Sequence, residues 1–264
     1  MLKIQNLQKT FNKNTVNENK LFKGLCLSVE KGDFITIIGS NGAGKSTLLD
    51  IISGSVPCDG GSIFLGEQKI SNMSEYKISR FIGRVFQDTK IGTSPSMTVL
   101  ENISMALNKN KRYGFSWGIE KKKIPDIKIL LSELSLGLEN KLNIKVGLLS
   151  GGQRQALSLL MASLSNPYLL LLDEHMAALD PKTSNIIENL TDKIIKRGNI
   201  TTLMVTHNLK QAVAMGNRLV MMHRGRIILD IKGEEKKSIT PEKLLSLFTE
   251  KESGDIISDR LMFA

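Results

Sequence analysis

The sequence predicts an α/β fold with a mostly parallel sheet, and three observations support this prediction. Apolar runs of strand length alternate with helical patterns, as in a sheet covered by helices. A glycine-rich segment, GSNGAGKST at residues 39–47, lies between a predicted strand and a predicted helix. Between about residues 91 and 149 the alternation stops and helix-like segments replace it, which predicts a helical insertion. A chain of 264 residues is long enough for one such domain with its insertion.

The predicted elements follow one another at intervals along the chain. The strands are short, nearly continuous apolar runs, typical of strands covered on both faces, at residues 34–38, 169–172, 201–205, 219–222 and 227–231. Helical patterns occupy residues 47–52, 98–107, 126–134 and 241–248. We therefore expect one domain at residues 1–232, with a helical subdomain inserted at about 91–160, and a short C-terminal helix with a loose tail at 233–264.

The charge balance is strongly basic, with a formal net charge of +10. A balance this basic predicts an anionic partner, which is nucleic acid, a membrane surface or a phosphate ligand. Half of this excess positive charge lies at residues 109–128, which contain seven Lys or Arg residues and two acidic residues, Glu120 and Asp126. This basic stretch is either a solvated charged face or a surface that meets lipid headgroups.

No secretory or membrane-spanning segment is predicted. The N-terminal sequence MLKIQNLQKTFNKN lacks an apolar stretch with a cleavage site. The longest uncharged run, residues 155–172, is interrupted by Ser-Asn-Pro at 165–167, so a helix, a turn and a buried strand explain it. We expect a cytoplasmic protein in which Cys26 and Cys58 are free thiols, because their spacing is not that of a metal site.

The glycine-rich segment fits the phosphate-loop pattern G-x-x-x-x-G-K-[ST] in the strand-to-helix context that this pattern requires. Its glycines allow backbone N–H groups to turn towards phosphate oxygens, and the following helix directs its positive end at them. Lys45 supplies a charge for the β and γ phosphates, and Ser46 offers a hydroxyl to Mg²⁺. We expect a nucleoside triphosphate site formed by Gly39, Ser40, Asn41, Gly42, Ala43, Gly44, Lys45, Ser46 and Thr47.

Two carboxylates follow the apolar strand LLLL at residues 169–172. Ligands of open α/β sheets bind at the carboxyl ends of the strands. Asp173 is predicted to hold Mg²⁺, and Glu174 to polarise the attacking water, because phosphoryl transfer depends on positioning and charge neutralisation. The alternative is a strand that ends at acidic helix-capping residues. The phosphate loop in the same chain favours the catalytic interpretation.

A second glycine pair occurs in the segment LLSGGQRQ at residues 148–155. Ser150 and Gln153 match a capping box, and apolar residues continue at helical spacing, so a helix begins here. A cap is worth only about 1 kcal/mol and many sequences can form one. The glycines add bare backbone that a phosphate can approach at a helix N-terminus.

These motifs together resemble those of the ATP-binding cassette (ABC) ATPases. The resemblance covers roughly residues 1–232 and includes, in order, GSNGAGKST, VFQD, LSGGQ, LLLLDE, ALD and VTHN. It implies an ABC-type P-loop NTPase fold, with an N-terminal antiparallel β portion. In this family two cassettes pack head to tail. The signature LSGGQ occupies residues 149–153, and its Ser150, Gly151, Gly152 and Gln153 would contact the triphosphate held by the partner.

The resemblance also assigns roles to single residues. Gln87 would approach Mg²⁺ and the attacking water, and His207 would meet the γ-phosphate. Asp180 would lie at the interface between cassettes, although an N-cap before a proline is its plain alternative. Phe11 would stack on adenine, with a core phenylalanine as the alternative. The remaining histidines, His175 and His223, are expected to be structural.

Within the family, the segments at residues 173–183 and 205–230 look like ATPase subunits of bacterial importers that use a lipoprotein receptor. This implies ATP and Mg²⁺ as cofactors, a second cassette, membrane permease subunits, a substrate-binding lipoprotein, and a peripheral location at the cytoplasmic face of the membrane. The cargo would be a small solute such as an amino acid, and no nucleic acid partner is expected. The alternatives are an exporter, or an ABC ATPase that acts on nucleic acid or ribosomes. The latter carry two cassettes or a long coiled coil, and neither is present here.

Overall fold

The computed structural model describes residues 1–111, 118–177 and 179–252, the last three by their backbone alone. Within these ranges the strands are β1 Leu2–Phe11, β2 Asn19–Val29, β3 Phe34–Gly39, β4 Gly60–Leu65, β5 Gln68–Lys69, β6 Ile82–Val85, β7 Leu169–Asp173, β8 Thr201–Val205, β9 Arg218–His223 and β10 Arg226–Lys232. The α-helices are α1 Lys45–Ser53, α2 Glu75–Ile78, α3 Val99–Leu107, α4 Ile124–Ser132, α5 Gly151–Leu164, α6 Pro181–Gly198, α7 Leu209–Ala214, α8 Glu234–Ser238 and α9 Pro241–Glu252.

The chain divides into two units. Unit 1 contains Met1–Ser79 and the chain from Thr201 onward, and unit 2 contains Arg80–Ile200. Unit 1 therefore holds the phosphate loop and the VTHN segment. Unit 2 holds the two carboxylates and the LSGGQ segment. The tail expected after the last helix lies outside the described residues.

An antiparallel sheet occupies the start of unit 1, in the strand order β2-β1-β4-β5. Strand β1 pairs with β2 on one side and with β4 on the other, so that Leu2 lies opposite both Val29 and Leu65. Buried and exposed residues alternate along β1, as expected for a sheet with one face on the core. The N-terminal antiparallel portion implied by the family resemblance is confirmed.

A second sheet portion in unit 1 has the order β10-β9-β3-β8. Strand β3 pairs in parallel with both β8 and β9, and β10 runs antiparallel to β9. Every residue of β3 and β8 is buried, which explains why the sequence shows continuous apolar runs instead of alternation. The strands predicted at residues 34–38, 201–205, 219–222 and 227–231 are confirmed.

The C-terminal helix α9 covers part of this sheet. It extends to Glu252, beyond the predicted end at residue 248. Leu244 and Phe248 lie in a buried apolar cluster that also includes Ile38 of β3 and Met221 of β9. The helix therefore packs behind the strand that leads into the phosphate loop.

Unit 2 contains the parallel pair β6 and β7, in which Ile82 lies opposite Leu169. Helix α5 ends at Leu164 and β7 begins at Leu169, so the uncharged run folds as the predicted helix, turn and strand. Helix α3 begins at a complete capping box formed by Thr98 and Glu101. The helices predicted at 98–107 and 126–134 are present with boundaries within two residues.

The basic stretch at residues 109–128 is not one uniform charged face. Lys109 points inward and its Nζ donates a hydrogen bond to the carbonyl of Ile82 at 3.1 Å, and burial lowers its pKa. Lys121 and Lys122 are exposed, whereas Lys123 pairs with Glu120 at 2.7 Å. Residues 112–117 of this stretch lie outside the described residues. Part of the excess charge thus serves the fold of unit 2.

Both cysteines are free thiols, as predicted. No helix in the described part of the chain combines the length and the apolar character that crossing a membrane would require.

Candidate nucleotide site

The phosphate loop connects β3 to α1 in unit 1. Gly44 caps the helix with a φ of 96°, a left-handed conformation that favours glycine. A β-carbon at Gly44 would lie 2.8 Å from a ring carbon of Phe22, so the loop also needs glycine for space. The first turn of α1 carries no acidic side chain. The positive end of the helix therefore stays available to an anion.

Lys45 is the first residue of α1 and reaches back over this loop. Its side chain is buried, and Nζ donates hydrogen bonds to the carbonyl oxygens of Gly39 at 2.8 Å and Ser40 at 3.0 Å. The ammonium group is thus held over the loop, where the phosphate-loop prediction requires a cation. Asn41 and Gly42 form the exposed rim of the loop, and Ser46 and Thr47 are half-buried at the helix start; Ala43 is buried.

Strand register brings His207 to the same edge of the sheet as the phosphate loop. In the parallel pair β3 and β8, Ile37 lies opposite Val205. Gly39 and His207 each follow this pair by two residues, so both leave the sheet at its carboxyl edge. His207 is exposed there, and Asn208 caps the helix that follows by accepting from Lys210 N at 2.9 Å.

His223 lies beside the phosphate loop, although the sequence predicted only a structural role for this residue. Met222 of β9 lies opposite Gly39 of β3, so the next residues on each strand, His223 and Ser40, also become neighbours. The Nδ1 of His223 lies 3.4 Å from Oγ of Ser40. The ring of His223 also meets Phe248 of α9 edge-on, with a centroid distance of 5.9 Å. The sequence signal was a histidine directly after a buried strand.

Phe11 ends strand β1 and is half-buried. The Nζ of Lys9 lies 5.1 Å from the centroid of its ring, which is a cation–π distance. The ring of Phe11 is therefore already in contact with the ammonium group of Lys9. Stacking of Phe11 on adenine stays a prediction.

The two predicted catalytic carboxylates lie at the end of β7 in unit 2. All five residues of β7 are buried, including Asp173, whereas Glu174 is half-exposed. Glu174 has a φ of 44°, in the left-handed region that non-glycine residues rarely adopt. Backbone outliers of this kind cost on the order of 1 kcal/mol or more and occur preferentially at functional sites.

Arg84 of β6 contacts Asp173 and was not identified from the sequence. Its Nη2 lies 3.6 Å from Oδ2 of Asp173, and both side chains are 11% exposed. Its Cζ also lies 4.4 Å from the ring centroid of Phe86. The signal in the sequence was an arginine inside an otherwise apolar strand, IGRVF.

His175 follows the two carboxylates and faces inward. Its Nε2 lies 3.1 Å from the hydroxyl of Thr191 on α6, and the residue is 3% exposed. Burial lowers the pKa of His175 to about 4. The ring is therefore neutral at pH 7, in agreement with the structural role expected for it.

Gln87 is exposed and begins the loop that follows β6. The far end of this loop is fixed by Asn102, a fully buried residue of α3. Its side chain accepts a hydrogen bond from Ser94 N at 2.8 Å and donates to the carbonyls of Ser94 and Thr98. The loop that carries Gln87 is thus anchored to the first helix of the predicted helical subdomain.

The LSGGQ segment begins α5 as predicted. Ser150 Oγ accepts a hydrogen bond from Gln153 N at 3.3 Å, and Gln153 Oε1 accepts one from Ser150 N at 3.2 Å, which completes the capping box. Ser150 and Gly151 are exposed. Gly152 is buried, and a β-carbon there would lie 2.2 Å from the methyl group of Thr183. Glycine is therefore required for the packing of α5 against α6.

The side chain of Gln153 is also used within unit 2. Its Oε1 accepts from Nζ of Lys141 at 3.2 Å, and its Nε2 donates to the carbonyl of Leu136 at 3.0 Å. These contacts tie the start of α5 to the segment before it. A direct contact of Gln153 with nucleotide stays a prediction.

Asp180 caps helix α6, as its plain alternative required. Its Oδ1 accepts a hydrogen bond from Thr183 N at 3.0 Å, and hydrogen bonds from the side chain and backbone of Thr183 lower its pKa. Thr183 also contacts Gly152. Unit 2 therefore brings Asp180 and the LSGGQ segment together, although Ala178 of the ALD motif lies outside the described residues.

Three residues are predicted to hold Mg²⁺. Ser46 would offer its hydroxyl, Gln87 its carboxamide oxygen and Asp173 its carboxylate. All offer hard oxygen donors, which Mg²⁺ prefers. Among the described residues no group of three His, Cys, Asp or Glu side chains could hold a metal by itself. Mg²⁺ usually binds one or two carboxylates together with substrate phosphates and water, and a donor set with the single carboxylate of Asp173 fits this preference.

Comparison with known proteins places this arrangement in context. The profile of the family described as "ABC transporter" matches residues 22–177. A tyrosine transport ATP-binding protein of Clostridioides difficile is 52% identical over 248 residues, which cover 94% of this chain and 98% of that protein. An aliphatic sulfonates import ATP-binding protein of Agrobacterium fabrum is 36% identical over 212 residues, which cover 80% of this chain and 74% of that protein.

Solved structures of ATP-binding cassettes have the same fold. A dimeric cassette in a post-hydrolysis state, bound to ADP and Pi, is 29% identical, with a TM-score of 0.76 and coverage of 88% of this chain and 98% of that chain. A cassette of an ABC transporter in its ADP conformation is 28% identical, with a TM-score of 0.76 and coverage of 97% and 99%. The α/β fold of the P-loop NTPase type is confirmed.

The buried His175 predicts a pH dependence of stability. The unfolded chain binds a proton at His175 below about pH 6.5, whereas the folded chain resists it down to about pH 4. The neutral ring of His175 therefore costs no free energy of unfolding above pH 6.5. As the pH falls from 6.5 to 4, the free energy of unfolding decreases by up to about 3 kcal/mol, because the unfolded chain takes up a proton that the folded chain does not. His175→Gln, which retains a hydrogen-bonding group for Thr191 but does not titrate, should flatten this dependence in urea unfolding between pH 4 and 7.5. Equal slopes in both proteins would contradict the assignment.

Proposed function

Because the chain belongs to the ABC transporter family of ATP-binding cassettes, we propose that it hydrolyses ATP as the energy-supplying subunit of a bacterial importer. The cargo we propose is a small solute such as an amino acid. The relative that is 52% identical over almost its whole length is named for tyrosine transport, and another is named for import. The ATPase subunit does not select this solute, since it acts on ATP.

The observation that carries the proposal is the exposed start of α5. Ser150 and Gly151 present a hydroxyl and bare backbone at the N-terminus of a 14-residue helix, where an anion is favoured. The chain holds one phosphate loop and one such signature. We propose that Ser150, Gly151 and Gly152 contact the γ-phosphate held by a second copy, so that the dimer has two composite sites. A similar cassette is dimeric with ADP and Pi.

Each site would divide the work of phosphoryl transfer among the residues described above. Gly39 to Thr47 bind the phosphates through backbone N–H groups, and Lys45 adds a positive charge. Ser46, Gln87 and Asp173 would hold Mg²⁺, which neutralises charge on the β and γ phosphates when bound. Glu174 polarises the attacking water, and His207 meets the γ-phosphate. Phe11 stacks on adenine, and Asp180 lies at the interface between copies.

The remaining partners follow from the import function. We propose that residues 1–232 form the cassette and that the inserted helical subdomain, about 91–160, receives the membrane permease subunits. Residues 233–264 would form a C-terminal extension. A substrate-binding lipoprotein would deliver the solute on the outer side. The cassette itself would sit peripherally at the cytoplasmic face of the membrane.

Dilution tests whether two copies form the site. If each ATP is bound by two chains, the hydrolysis rate per chain should fall in proportion to protein concentration once dimers dissociate. Phosphate release from purified protein, measured over a thousand-fold dilution series, checks this expectation. A rate per chain that stays constant down to concentrations where sedimentation shows only monomers would rule out the composite site.

Glu174→Gln should preserve ATP binding and nearly abolish turnover. Loss of a general base typically costs 10²- to 10⁴-fold, and we expect about 10³-fold here. The variant should accumulate as a dimer with ATP in size-exclusion chromatography. Asp192→Asn is the matched control, since Asp192 pairs with Lys196 on the exposed face of α6 and lies outside the predicted site. Normal turnover in Glu174→Gln would show that another residue activates the water.

Two substitutions at Ser150 separate its capping role from its predicted phosphate contact. Ser150→Ala should lower the free energy of unfolding by about 1 kcal/mol, because the cap is lost. Ser150→Asp should keep the cap and nearly all of the stability, yet abolish ATP hydrolysis, because its charge repels phosphate. Urea unfolding and phosphate release measure the two effects. If ATP hydrolysis decreases only as far as the free energy of unfolding decreases in both variants, Ser150 acts as a helix cap alone.

A further inference from the structure

Arg84 is a charged residue inside the buried strand β6. Its side chain is 11% exposed, and the rest of the strand is apolar or glycine. Burying a guanidinium without an anionic partner is costly, so a buried arginine normally has one. Here the partner is Asp173, which the proposed function assigns to the metal.

The register of the parallel pair explains why these two residues meet. Arg84 lies opposite Leu171 of β7, so the two side chains share one face of the sheet. Asp173 lies two residues further along β7, on that same face and about 7 Å towards the carboxyl end. The long side chain of an arginine spans this distance. Nη2 reaches to 3.6 Å from Oδ2 of Asp173.

The same guanidinium contacts a second part of the site. Its Cζ lies 4.4 Å from the ring centroid of Phe86, the residue directly before Gln87. Arginine suits such a double contact, because its planar group stacks on aromatic rings while its edge faces a carboxylate. One side chain therefore links the end of β7 to the start of the Gln87 loop.

We propose that Arg84 is a positioning residue for the hydrolysis reaction. It holds the carboxylate of Asp173 in the orientation that receives the metal and, through Phe86, fixes the start of the loop that carries Gln87. The inference rests on the proposed metal role of Asp173. Residues that orient a metal ligand typically change metal affinity or activity 10- to 100-fold when they are removed.

Two physical effects of Arg84 on the metal oppose each other. Its positive charge repels a cation, so removing it would tighten metal binding by simple electrostatics. Its contact with Asp173 orients the ligand, so removing it would weaken binding. Both side chains of the pair have little exposure, and removing one member of a buried ion pair strongly perturbs the other. We therefore expect the orienting effect to dominate.

The test measures metal binding directly, apart from turnover. The full chain is first bound to a non-hydrolysable ATP analogue and is then titrated with Mn²⁺. Electron paramagnetic resonance measures the Mn²⁺ that stays free. Arg84→Met should weaken Mn²⁺ binding about tenfold and lower kcat, while binding of the analogue in EDTA stays unchanged. Arg84→Lys, which keeps the charge, should recover part of the loss. Arg197→Met, which removes an arginine paired with Glu133 on the exposed face of unit 2, is the matched control and should have no effect.

Phe86→Leu removes the stacking ring and retains the ion pair. It should weaken Mn²⁺ binding about threefold, in line with a cation–π contact. This variant and Arg84→Lys carry the test if Arg84→Met does not fold. Wild-type Mn²⁺ affinity in both would then overturn the proposal.

The outcomes separate this inference from the function on which it rests. Asp173→Asn should weaken Mn²⁺ binding most strongly. Unchanged or tighter Mn²⁺ binding in Arg84→Met, beside a clear loss in Asp173→Asn, would overturn the role of Arg84 alone. Unchanged binding in Asp173→Asn would overturn the metal site and the role of Arg84 together.

Discussion

The hydrogen-bonded register of parallel strands is the constraint on which the rest of the structure depends. In unit 1 the register of β3 with β8 and β9 brings the phosphate loop, His207 and His223 to one edge of the sheet. In unit 2 the register of β6 with β7 places Arg84 and Asp173 on the same face of the sheet. A shift by one residue would turn each side chain to the opposite face. The buried apolar strands therefore determine where the chemistry can take place.

Much of this could be predicted from the sequence, because buried parallel strands and phosphate loops have strong local signals. Strand β7 reads as an uninterrupted apolar run, and the start of α5 is marked by its capping box. The end of α9 was predicted four residues too early, because residues 249–252, TEKE, are polar and carry no periodic apolar signal. Arg84 was missed, and the neighbours of His223 were not predicted, for a related reason. Their partners are set by which strands lie side by side, and no pattern within one segment shows that.

Several residues predicted to serve catalysis also maintain the fold. Ser150 and Gln153 complete a helix cap, and Asp180 caps α6 while Thr183 packs against Gly152. A loss of activity after substitution at such positions does not by itself identify a contact with nucleotide. The structural and catalytic contributions separate only when stability and hydrolysis are measured on the same variant. Arg84 belongs to this group, since it links two elements as well as a predicted metal ligand.

Helix α9 reaches the nucleotide loop through a short relay of side chains, from Phe248 to His223 to Ser40. A fluorophore that replaced Phe248 would therefore change the surroundings of His223 and, through it, of Ser40 in the nucleotide loop. The turn around Val16 is no safer, because this wholly exposed residue lies in the segment that directly follows Phe11, where we propose that adenine binds.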